Sequence, residues 1–77
     1  MGQEPLILAS AHRYGVTDEA MLHALRYPVR HFVQNDEMTM FIGPDRTGTL
    51  IEVGVVERYG IIAITHAMRP ARSKYPR

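Results

Sequence analysis

The chain contains no cysteine. That excludes a disulfide scaffold, a thiolate zinc site and a cysteine nucleophile together. It also argues against a small secreted fold, because extracellular domains this short generally depend on covalent or metal staples. The apolar runs fall far below the ~18 residues of a membrane span. A basic start followed by a long apolar core, the mark of a signal peptide, is also missing. The cytoplasm is therefore the expected location, with no membrane partner. There is no internal repeat, no low-complexity stretch and no glycine run resembling a phosphate loop, and no serine has the context of a nucleophile elbow. The four histidines are separated by 11, 8 and 35 residues. None forms the i, i+4 pair that puts two imidazoles on one helix face, so neither a metal nor another cofactor is expected.

What is present is one domain, residues 1–77, of 8.8 kDa, 45% apolar and 22% charged. A chain of this length buries only about 60% of its unfolded surface, which excludes a deep cavity roofed by a second domain. The net charge of +1 is unevenly spread. Residues 34–57 carry Asp36, Glu37, Asp45, Glu52 and Glu57 against Arg46 alone. Residues 58–77 carry Arg58, Arg69, Arg72, Lys74 and Arg77 with no acid. Such a basic end is a solvated tail, a phosphate-binding surface or a dock for an acidic partner.

Pro5 followed by Leu6, Ile7, Leu8, Ala9 and Ala11 predicts a first helix over about 5–14, closed by Gly15. Thr17 reads as an N-cap, Asp18 and Glu19 suit the start of a helix, and Met21, Leu22, Ala24 and Leu25 give an apolar stripe on a second helix over about 18–27, stopped by Pro28. From Val29 the periodicity changes to alternation. Strands are expected at Val29–Gln34, Met38–Ile42, Leu50–Glu57 and Ile61–Thr65, the last nearly all apolar and so central. Asn35-Asp36-Glu37 and Gly43 to Gly48 supply turns. The expected fold class is α+β: two N-terminal helices packed on an antiparallel sheet of about four strands, ending in a basic tail over about 67–77.

Chemistry concentrates in His66-Ala67-Met68-Arg69-Pro70-Ala71-Arg72-Ser73-Lys74-Tyr75. Metal-free RNA cleavage needs a group to take the 2′-hydroxyl proton, a group to protonate the leaving 5′-oxygen, and cations for the charge on phosphorus. His66 is the candidate acid or base, and Arg69 and Arg72 are the candidate phosphate clamps. Arg46 and Lys74 would add positive field at an RNA-binding surface, and Tyr75 would stack a base or donate. Strand parity sets the side that His66 faces. A two-residue turn at Arg58-Tyr59 or Tyr59-Gly60 puts it with Ile51, Val53 and Val55. A three-residue loop, the register preferred, puts it opposite Glu52, which could orient the imidazole.

Arg13-Tyr14-Gly15-Val16-Thr17-Asp18-Glu19-Ala20 is similar to the helix-break-helix segment of BrnT-type toxins. Ile42-Gly43 with Leu50-Ile51-Glu52-Val53 resembles that family's second sheet hairpin. Ile61-Ile62-Ala63-Ile64, leading into Ala67-Met68-Arg69-Pro70-Ala71-Arg72 and Tyr75, resembles its last strand and basic C-terminal segment. The overlap covers residues ~11–75. It implies a small RelE-like ribonuclease encoded beside an antitoxin that covers it, with RNA and a cognate antitoxin as partners. Two other functions fit parts of the sequence. Ala11, Gly15, Val16, Met21 and Ala24 have helix-turn-helix spacing, which would make a DNA-binding regulator, although its groove helix would begin with Asp18-Glu19. The third is a non-catalytic interaction module, a homodimer through an exposed strand edge.

Overall fold

The structure, a computed structural model, describes residues 4–35 and 37–72. Its elements are β1 (Leu6–Ile7), a 3-10 turn (Ala9–His12), α1 (Asp18–Arg26), β2 (Arg30–Asn35), β3 (Met38–Pro44), β4 (Leu50–Arg58) and β5 (Ile61–Met68). The five strands form one sheet in the order β1-β5-β4-β3-β2. β1 runs parallel to β5, and the other neighbours are antiparallel. The expected pair of N-terminal helices on a four-stranded antiparallel sheet is therefore corrected to one α-helix on a mixed, five-stranded sheet. No helix among the described residues is long and apolar enough to cross a membrane.

The difference lies in residues 5–14. Leu6 and Ile7 pair with Ala63 and Ile64 along the outer edge of β5, and the Leu8 amide donates to the Ile64 carbonyl at 3.0 Å. A short apolar run suits a strand as well as a helix, and here an unpaired sheet edge decides for the strand. Pro5 has no N–H to extend the ladder, so β1 stops there. Helical backbone is confined to Ala9–His12, whose Ala11 is buried and whose Ser10 hydroxyl donates to the Thr65 carbonyl at 2.7 Å.

α1 is capped by Thr17, whose hydroxyl accepts from the Ala20 amide, and it buries Ala20, Met21 and Ala24. These meet Ile51 and Val53 of β4 and Ile64 and Ala67 of β5 in the main core. The helix lies directly over Gly43 of β3, where a β-carbon would collide with the Ala24 carbonyl. Val53 is fully buried, whereas Ile62, which the apolar strand pattern places in the core, is 46% exposed. Val53→Ala should accordingly cost about 1–4 kcal/mol in urea unfolding. Ile62→Ala should stay within about 0.5 kcal/mol.

The other face of the sheet carries Met40 and Ile42, buried beneath Phe32, Met38 and Ala71. The Ala71 amide donates to the Leu50 carbonyl at 2.9 Å, so the chain after β5 folds back over this face. The expected tail over 67–77 is thus corrected within the described residues: Ala67 and Met68 belong to β5, and Ala71 is packed.

The β4–β5 turn has two residues, Tyr59 and Gly60, both at positive φ, with Arg58 opposite Ile61. That turn alone would put His66 on the helix side. The ladder shifts between Ile64, opposite Val55, and His66, opposite Gly54, which leaves Thr65 as an extra residue. The bulge reverses the parity of the remaining strand, and His66 faces the same side as Glu52.

Candidate functional site

Glu52 stands between Ile51 and Val53 in mid-strand and is fully buried. A carboxylate removed from water needs ionic or hydrogen-bonded partners. Its Oε1 accepts from the Arg72 amide at 2.9 Å, and its Oε2 accepts from Arg72 Nη2 at 2.8 Å and from His66 Nε2 at 2.7 Å. Arg72 Nε lies 3.3 and 3.2 Å from the two oxygens. One carboxylate therefore fixes an imidazole and a guanidinium side by side. With Nε2 donating to Glu52, the neutral ring keeps Nδ1 for proton transfer. The His66 and Arg72 side chains are 21% and 40% exposed, so both reach solvent over the buried anion.

Tyr14 completes the cluster. Its ring meets that of His66 edge-on, with centroids 5.9 Å apart and planes at 77°. It is carried there by the segment between α1 and the 3-10 turn, the latter packed along β5, and Gly15 turns that segment at φ 76°. The residue is half-exposed and leaves ring surface open beside the imidazole.

Of the residues expected at this site, the structure brings together His66 and Arg72. Arg69 binds elsewhere, its Nε 2.9 Å from Asp45 Oδ2. Arg46 pairs with Glu19 of α1 at 3.0 Å. Lys74 and Tyr75 lie outside the described residues. Of the rest of the cluster, Glu52 is anticipated only as the residue that could orient His66, and Tyr14 is absent from the expected set. Glu52 is legible as a charged residue inside an apolar strand, whereas nothing local marks Tyr14. Among the described residues, no group of three or more histidine, aspartate or glutamate side chains is placed to hold a metal ion.

Asp45 organises the neighbouring β3–β4 loop. Its Oδ1 accepts from the amides of Thr47 and Thr49 and from the Thr47 hydroxyl. The Thr47 hydroxyl bond, followed by the two amides and Arg69, holds the carboxyl below its ordinary value, against the opposing effect of burial. A depressed folded-state value contributes stability above the unfolded value and loses it as pH falls. The wild-type urea midpoint should therefore fall as the pH drops below about 4. Asp45→Asn should be less stable at neutral pH and flatter over that acid window.

No family model matches the chain, and no curated protein and no solved structure is significantly similar to it.

Proposed function

We propose that the chain is a metal-independent endoribonuclease acting in the cytoplasm as the toxin of a toxin–antitoxin pair. The observation that carries this reading is the Glu52 carboxylate, which holds His66 and Arg72 together on the face of the sheet opposite α1. His66 removes the 2′-hydroxyl proton of a bound RNA, and the 2′-oxygen attacks phosphorus. The 5′-oxygen departs with a proton from water, leaving a 2′,3′-cyclic phosphate. The Arg72 guanidinium faces the charge gathering on the phosphoryl oxygens, and Glu52 orients the imidazole and balances its charge when protonated. Tyr14 offers a surface for an unstacked base. The resemblance of Arg13–Ala20 and of Ala67–Arg72 to BrnT-type toxins supports the same chemistry and a protein antitoxin as partner. The DNA-binding alternative needs two helices at a turn, and its first helix is here a four-residue 3-10 turn.

Purified protein should cleave single-stranded RNA in the presence of a metal chelator. Its induced expression in bacteria should arrest growth unless the neighbouring gene is co-expressed. Intact RNA together with unimpaired growth would sink the reading.

A further inference from the structure

α1 presents two different faces. Ala20, Met21 and Ala24 enter the core. Glu19, Leu22, His23, Arg26 and Tyr27 recur at i, i+3, i+4, i+7 and i+8, and so form a second stripe. It forms one wall of an open cleft of about 610 Å³ whose other side is closed by Arg46 of the β3–β4 loop. The volume falls within the range of small-molecule sites, about 300–1,000 Å³. The cleft lies on the helix-covered face of the sheet, opposite His66 and Glu52.

The groups in this wall are mutually oriented. His23 Nδ1 donates to the Pro44 carbonyl at 2.8 Å, which ties the ring to the end of β3 and leaves Nε2 as an acceptor in the neutral ring or a donor in the protonated one. The Tyr27 ring lies 5.0 Å from His23, tilted by 54°. The Arg26 guanidinium carbon lies 5.8 Å from the Tyr27 centroid. Arg26 forms no ion pair among the described residues, while Glu19 holds Arg46 at the rim. The lining carries two guanidiniums and one carboxylate, so positive charge is in excess by one. Planar aromatic surface and excess positive charge together call for a ligand that is flat at one end and anionic at the other.

We infer that this cleft binds a nucleoside phosphate, with the base against Tyr27 and His23 and the phosphate between Arg26 and Arg46. Stacking and cation–π contact favour the base, and the guanidinium forks favour the phosphate. The unit can come from a free nucleotide or from one nucleotide of an RNA strand. The inference does not rest on the ribonuclease reading, because it concerns another face and different residues.

The test is a titration of the isotope-labelled full chain, followed by NMR, with adenosine 5′-monophosphate, adenosine, inorganic phosphate and a short single-stranded RNA. Adenosine 5′-monophosphate should shift the His23, Arg26 and Tyr27 resonances saturably. Adenosine and phosphate should each bind at least about tenfold more weakly. Arg26→Ala and Tyr27→Ala should each weaken binding by about tenfold, and Tyr27→Phe should retain it. His66→Ala should leave the adenosine 5′-monophosphate shifts at His23, Arg26 and Tyr27 unchanged. RNA binding tighter than the mononucleotide identifies a strand as the source, and equal binding identifies the free nucleotide; either supports the site. No saturable shift at these residues with adenosine 5′-monophosphate, phosphate binding as tightly as the nucleotide, or mononucleotide shifts centred on His66 and Arg72 would overturn it.

Discussion

His66→Ala is expected to lower RNA cleavage by about 10²–10⁴-fold, the contribution of a positioned proton-transfer group. The ring is 21% exposed and Glu52 keeps its Arg72 partner without it, so the variant should remain folded at the assay temperature. Arg72→Ala should lower cleavage by about 10²–10³-fold, as expected for one preorganised electrostatic group. It differs from His66→Ala in a second respect. A solvated tail arginine would be removable at no cost to the fold, but Arg72 is the cationic partner of a carboxylate without solvent contact. Its loss therefore lowers stability as well as activity, and cleavage must be read well below each variant's unfolding midpoint. The comparison also separates competing functions. A DNA-binding protein would lose affinity through Arg26→Ala and be nearly indifferent to His66→Ala. Equal cleavage by wild type and His66→Ala would remove the imidazole from the mechanism.

Local signals are legible where a single segment contains its own explanation. Thr17 with Asp18 and Glu19 marks the start of α1, and alternation from Arg30 onward marks strands, because caps and periodicity are short-range. Residues 5–14 mislead because helix and strand fit the run Leu6 to Ala9 equally. The deciding partner, the outer edge of β5, is more than fifty residues away. His66 is instructive in another way. A longer turn predicts its side of the sheet, whereas the turn is short and the bulge at Thr65 supplies the missing residue. Counting residues between two strands cannot distinguish these cases, since each inserts one residue. Arg46 and Arg69 illustrate a further limit. Both are expected at one phosphate surface with His66, but Glu19 and Asp45, each remote in the chain from the arginine it binds, hold the two guanidiniums at the β3–β4 loop instead. Tyr14 reaches His66 only through the path of the 3-10 turn along β5, which no local pattern encodes.

Substitution within the Glu52–Arg72 pair should have the largest effect on stability, and its pattern distinguishes a functional carboxylate from a structural one. Arg72→Ala leaves the Glu52 charge buried without its guanidinium, and breaking a buried pair from one side costs about 3–5 kcal/mol. Glu52→Ala should cost somewhat less, about 2–4 kcal/mol, because Arg72 is 40% exposed and can turn to water. Against a total of about 4–12 kcal/mol for a domain of this size, either change is severe. The double replacement Glu52→Leu with Arg72→Leu should restore much of the loss, since buried ion pairs exchanged for apolar groups of similar volume are often neutral or stabilising. Chemical unfolding of wild type, Glu52→Leu, Arg72→Leu and the double variant closes the cycle. If the double variant is nearly as stable as wild type yet inactive on RNA, the buried carboxylate is retained for what it holds at the surface, the imidazole and the guanidinium. If the double variant is as unstable as the worse single one, Glu52 is chiefly a structural anchor for the returning chain at Ala71 and Arg72.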